Sequence, residues 1–294
     1  MILCLLAGVV ALRLVGPGAA EAILDKPPGP SRTELSSPVV VPMVASQGRP
    51  VIEAMINGKG PFPLLLDTGA SEPVLNPDLV DELKLPVTGA RKIGDPAEPE
   101  GIAAQALRVD QLTIGKAVFT GVTAVTWDGA DHFSPGARGV IGLALFRDLL
   151  LTIDYPKNEI RIERGELSAQ DPGVVTYKPG PDGMVRVPVT VGSITVDADL
   201  DTGSPANVSV PKKYSGELAL EAAPVLVGRA RTVGGEFAIY GAKVKGEIRI
   251  GSVKLASQAL DLHERLPVAN IGYRALRDFA ITIDQKNLRV RFAK

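Results

Sequence analysis

Apolar and polar positions alternate in short runs along most of the chain, separated by glycine, proline, asparagine and serine. Such a period of two predicts half-buried β-strands joined by tight turns. The first strands fall at 39–44, 50–56 and 62–66. Asn57-Gly58 between the last two predicts a hairpin, because both residues tolerate positive φ. A second series occupies 185–191, turns at Gly192-Ser193 and returns through 194–196 towards Asp201. Helical periodicity is confined to a short amphipathic stretch near 76–85 and to a turn or two after Ile141-Gly142 and after Ile271-Gly272. At the start, residues 1–12 form an unbroken apolar run closed by Arg13. That run is too short to span a bilayer as a helix. It suits the apolar region of a secretory signal, and Ala20-Glu21-Ala22 offers a small-x-small cleavage site, so 1–22 is read as a signal peptide. The segment ahead of the run carries no Lys or Arg, which leaves an uncleaved anchor as the alternative.

Composition strengthens the all-β expectation. The 294 residues include 31 glycines and 24 prolines and only 4% aromatics, enough chain for two ordinary domains rich in turns. With 32 basic and 33 acidic residues and no basic stripe, the charge pattern argues against a nucleic acid partner. No second apolar run is long enough for a membrane span, so no stable insertion of the mature chain is expected. Cys4, the single cysteine, falls within the signal, leaving the mature chain without a thiol. His132 and His263 have no His-x-x-x-His or cysteine cluster beside them, and they read as polar loop residues, not metal ligands. There is no Gly-x-Ser-x-Gly elbow, phosphate loop or dinucleotide fingerprint; no cofactor is expected.

One motif occurs twice. Leu64-Leu65-Leu66-Asp67-Thr68-Gly69-Ala70 is echoed by Ala198-Asp199-Leu200-Asp201-Thr202-Gly203-Ser204, 134 residues later. A single Asp-Thr-Gly would be read as an ordinary turn. The echo continues, however: Ile141-Gly142 and Ile271-Gly272 follow their acids at 75 and 71 residues, and Thr152-Ile153-Asp154 and Thr282-Ile283-Asp284 come next. Matching order and spacing imply an internal duplication. The division is then 1–22 signal, 23–38 Pro-rich linker, 39–164 first lobe, 165–183 inter-lobe linker and 184–294 second lobe.

An apolar strand running into Asp-Thr-Gly-[Ala/Ser], with an apolar-apolar-Gly segment opening a short helix further on, resembles the retropepsin and pepsin family of aspartic proteases. Within it, the chain is most similar to bacterial secreted retropepsin-like proteins, over roughly residues 39–294. The resemblance implies an all-β, bilobal protein whose closed β-barrel lobes are related by duplication. It also implies loops carrying the acids, the apolar-apolar-Gly segments crossing beneath them, and hairpin flaps over a cleft at 94–101 and 228–235. A peptide or protein would be the substrate, the periplasm or the exterior the location, and one chain would suffice as a monomer.

On that resemblance Asp67 and Asp201 form a catalytic dyad that shares one proton and activates water. Two carboxylates at close range cannot both ionise, and the handling of base and acid in one pair follows from this. Thr68 and Thr202 would lock the two loops together, and Gly69 and Gly203 would permit close backbone approach. Ala70 and Ser204 differ in that a serine hydroxyl can donate to the neighbouring carboxylate. Leu65 and Asp199, two residues ahead of the acids, would line the cleft. Asp199 is there either paired with a residue such as Arg229 or Arg231, or free to favour a Lys or Arg side chain of the substrate. Asn270, in the place Val140 holds in the first copy, and Pro205 are departures from the pattern. A catalytically silent peptide-binding module and a homodimer pairing motifs between chains are the competing readings.

Overall fold

The structure, a computed structural model, describes residues 6–7, 13–14, 29–95, 98–127, 135–180, 183–232 and 235–294. The signal segment 1–22, apart from 6–7 and 13–14, lies outside the described residues, as do the start of the linker at 23–28, His132 and the hairpin tips 96–97 and 233–234. Among the described residues no helix is long and apolar enough to cross a membrane.

The protein is nearly all β. Its strands form where alternation is cleanest. In Val185–Val191 the valines at 185, 187, 189 and 191 point into the core while the residues between them are more exposed. Burying such a side chain contributes about 1.5–3 kcal/mol. In the first half, Arg49–Ile56 and Lys59–Leu66 make the hairpin whose turn places Asn57 and Gly58 at φ 49° and 75°. Lys59–Leu66 runs parallel to Gly139–Ile141, which pairs antiparallel with Val74–Leu75. Val74–Leu75 runs parallel to Ala117–Thr126, and the sheet continues through Glu98–Ile114 to Val87–Asp95. The second half repeats this order: Val185–Val191, Ile194–Leu200, Ala269–Ile271, Val208–Pro211, Ala259–His263, Gly235–Lys243 and Val225–Thr232. The segments expected to cover the cleft thus lie in two long antiparallel hairpins.

A third sheet takes strands from both halves. Its order is Val174–Thr176, Arg289–Ala293, Ala280–Asp284, Leu150–Asp154, Glu159–Glu163 and Val39–Pro42. Leu150–Asp154 and Ala280–Asp284 pair antiparallel at its centre, with Thr152 opposite Thr282 and their hydroxyls 2.9 Å apart. A local twofold passes between those threonines. Two segments read as linkers contribute strands: Val174–Thr176 joins the third sheet, and Arg32–Glu34 pairs with Ala117–Thr126. The helical expectations correspond to Pro77–Leu83, capped by Asn76 Oδ1 accepting from the Asp78 N–H at 2.9 Å, to the 3₁₀ turn Leu143–Phe146 and to Tyr273–Leu276.

Candidate active site

The strands Lys59–Leu66 and Ile194–Leu200 each end one residue before an aspartate, and the two ends meet. The contact is made by threonine hydroxyls. Thr202 Oγ1 accepts from the Thr68 N–H at 3.0 Å and donates to the Leu66 carbonyl at 2.8 Å. Thr68 Oγ1 does the same in reverse, accepting from the Thr202 N–H at 3.0 Å and donating to the Leu200 carbonyl at 2.6 Å. Both threonines are fully buried. Each hydroxyl satisfies one donor and one acceptor that water cannot reach, so the loops are fixed to each other and not merely adjacent.

The apolar-Gly segments hold the same loops from below. The Asp67 N–H donates to the Ile141 carbonyl and the Asp201 N–H to the Ile271 carbonyl, each at 3.0 Å. Leu143 N–H then reaches the Ala70 carbonyl at 3.0 Å, and Tyr273 N–H reaches that of Ser204 at 2.8 Å. At Gly142 a Cβ would come within 2.6 Å of the Ser71 carbonyl carbon, and at Gly272 within 2.6 Å of the Ala206 carbonyl oxygen. Only hydrogen fits at either crossing.

Between the loops lie the two carboxyls, 5% and 2% exposed for Asp67 and Asp201, so close that a Cβ on Gly69 would lie 3.0 Å from Asp67 Oδ1 and 2.9 Å from Asp201 Oδ1. Asp67 Oδ1 accepts from the Gly69 N–H at 2.7 Å and from the Gly203 N–H at 3.2 Å. A Cβ at Gly203 would overlap the Asp67 carboxylate, and one at Gly69 would lie 2.9 Å from Asp201 Cγ. Asp201 Oδ1 accepts from the Ser204 N–H at 3.0 Å, and its Oδ2 from Asn270 Nδ2 at 2.8 Å. Burial pushes the Asp67 carboxyl well above the usual carboxylate range, and the Asp201 charge adds to the shift. Burial also raises Asp201, opposed chiefly by the Asn270 hydrogen bond. The pair titrates as one unit.

The expectations for Ser204, Pro205, Asp199 and His263 need correction. The Ser204 side chain does not donate to Asp201: its Oγ accepts from the Ala206 N–H at 3.3 Å, and the donor to the carboxylate is the Ser204 backbone. Pro205 leaves the loop's hydrogen bonds intact. The partner of Asp199 is Arg186, through Nε at 2.7 Å and Nη2 at 3.0 Å, because these residues face each other across the hairpin. Leu65 packs in an apolar cluster with Ala70, Val74 and Val140. His263 is no loop residue; it ends the strand Ala259–His263 and is buried. Two further features had no reading from sequence. Arg49, buried at the start of its strand, feels the charges of both aspartates, and desolvation holds its pKa below the usual value. Tyr155 is buried edge-on to Tyr273 at 5.3 Å, and burial, then the neighbouring Tyr273 and both aspartates, pushes its hydroxyl up.

Residues 52–145 match a family model described as aspartyl protease. The matched stretch contains Asp67, Thr68, Gly69 and Gly142 and ends before Asp201, so the second half of the centre stands on its own geometry. No curated protein matched the chain. Among the described residues no group of three or more His, Cys, Asp or Glu side chains gathers as a metal site would require.

Proposed function

We propose that the protein is an aspartic endopeptidase of the bilobal, exported retropepsin-like type, with lobes at 39–164 and 184–294 descended from a duplication and one dyad per chain. One observation carries the reading: two buried carboxyls converge at the ends of threonine-locked loops. Support for duplication comes from the repeated strand order and from the equivalent hydrogen bonds at 67/141 and 201/271.

The proton of the pair belongs mainly to Asp67. Asn270 donates to Asp201, whereas its counterpart Val140 has nothing to donate to Asp67. A donor aimed at a carboxylate favours the ionised form. Asp201 is therefore the base that takes a proton from water as its oxygen attacks the peptide carbonyl carbon. Asp67 gives its proton to the carbonyl oxygen. Collapse of the tetrahedral species returns that proton to Asp67, moves the one on Asp201 to the leaving nitrogen, and breaks the C–N bond. Both carboxyls then hold their starting protonation.

The test uses the purified full chain with a fluorogenic peptide library. Asp67→Asn and Asp201→Asn should each lower kcat by at least about three orders of magnitude, with the double variant scarcely worse, since members of one unit are non-additive. Substantial cleavage by the Asp201 variant would overturn the reading.

A further inference from the structure

The sheet face that flanks the dyad differs in chemistry between the halves, residue for residue. In the first half a row crosses four strands in register: Leu65 beside Val140, Val140 beside Val74, and Val74 beside Val125. All four are buried in one apolar cluster. The second-half row follows the same strand order: Asp199 beside Asn270, Asn270 beside Ser209, and Ser209 beside Asp261. Every apolar member is replaced by a polar one. The neighbours alternating with them, including Ala198, Val208, Leu260 and Ile271, belong to the main core, so the polar row lies on the opposite face, as the strand period requires. At the next step along the strands Trp127 gives way to His263, which lies 5.5 Å from Phe237 of the covering hairpin.

This face reaches the reacting pair, since Asn270 donates to Asp201 and the Asp199 charge acts on Asp201. Its hydrogen-bond capacity is only partly used. Asn270 is 2% exposed, and its Oδ1 has no partner. His263 is 6% exposed, and neither ring nitrogen has a partner. Burying such groups unpaired is unfavourable, and a polar ligand removes the penalty. Asp199 is already occupied by the two-pronged contact with Arg186, which also neutralises that cation. The carboxyl of Asp261, half-buried, has no hydrogen-bond or ion-pair partner among the described residues, and the exposed Arg274 acts on it only through its field.

We propose that the second-half face is a specificity pocket for a basic substrate side chain, whose ammonium or guanidinium pairs with Asp261 and donates to Asn270 Oδ1. The corresponding face around Leu65 and Val140 takes an apolar side chain on the other side of the scissile bond. Unused acceptors call for a donor-rich occupant, and the one free carboxyl calls for a cation. The assignment rests on the proteolytic reading for its placement beside a scissile bond, and the experiment separates the two.

The full chain is incubated with a library varying both residues that flank the cleaved bond, and the Asp67→Asn chain is tested for binding to the same peptides. We expect bonds with an apolar residue on one side and Lys or Arg on the other to be cleaved at least about tenfold more efficiently than apolar–apolar bonds. Asp261→Asn should abolish that ratio, and its melting temperature reports whether the variant is folded. Cleavage that favours apolar residues on both sides, or a basic preference that survives in a folded Asp261→Asn protein, overturns the pocket and leaves the protease reading intact. Selective binding of basic peptides without any cleavage by the unmodified chain overturns the protease and supports the pocket. Neither binding nor cleavage overturns both.

Discussion

Removing one hydroxyl from the threonine lock tests the claim that the two halves are held together at the dyad. Thr202→Val keeps the shape of the side chain and removes only its hydrogen bonding. Thr68 N–H loses its acceptor and the Leu66 carbonyl loses the hydroxyl that donates to it, both in the interior. Each orphaned group costs about 1–3 kcal/mol, so the variant should be destabilised by about 2–6 kcal/mol. Thr202→Ser keeps the hydroxyl and drops one methyl group, at a cost of about 1 kcal/mol. Urea unfolding followed by the fluorescence of Trp127, the single tryptophan and buried, gives the comparison directly. A Thr202→Val protein within about 0.5 kcal/mol of the parent would refute the lock, as would a serine variant equally damaged.

Asn270→Val restores in the second half the residue type of the first and removes a donor to Asp201, so the acid limb of the kcat/KM profile should move upward; an unmoved limb would refute the assigned role of Asn270. Both carboxyls have folded-state pKa values above their unfolded ones, so their contribution to stability is full below the unfolded carboxylate range and is lost as pH rises through the folded values. Asp67→Asn should therefore gain melting temperature relative to the parent as pH rises above the ordinary carboxylate range, and a difference that stays constant with pH would contradict the raised pair.

Much of the candidate centre was legible because it is local. An aspartate ending an apolar strand, a threonine next to it and a glycine where backbones touch are all encoded within four residues, and the duplicate supplied the partner. The Asp199 partner was legible too, though it required counting. A two-residue turn at Gly192-Ser193 sets Val191 opposite Ile194, and stepping outward sets Arg186 opposite Asp199. The flap arginines are sequence neighbours of nothing in that ladder. Asn270 read as a blemish because its position is set by register whereas its use depends on where the Asp201 carboxyl points. Arg49 carried no signal at all: its charge meets the aspartates only after the chain has folded, through no repeat or spacing. The strands at 32–34 and 174–176 were hidden by proline and glycine nearby, although edge positions tolerate both.

The third sheet ties the meeting of the two aspartate loops to strands drawn from both halves of the chain. Its central ladder joins Leu150–Asp154 to Ala280–Asp284, and the Asp201 loop rests on Ile271 and Tyr273. While the ribosome is still adding residues ahead of that ladder, the first acid has no second to face. On the proteolytic reading, a chain truncated ahead of Ala280–Asp284 loses that ladder and should cleave peptides far more slowly than the full chain. The contacts that bring the carboxyls together thus depend on strands far beyond Asp67 and Asp201 in the chain being anchored in one sheet.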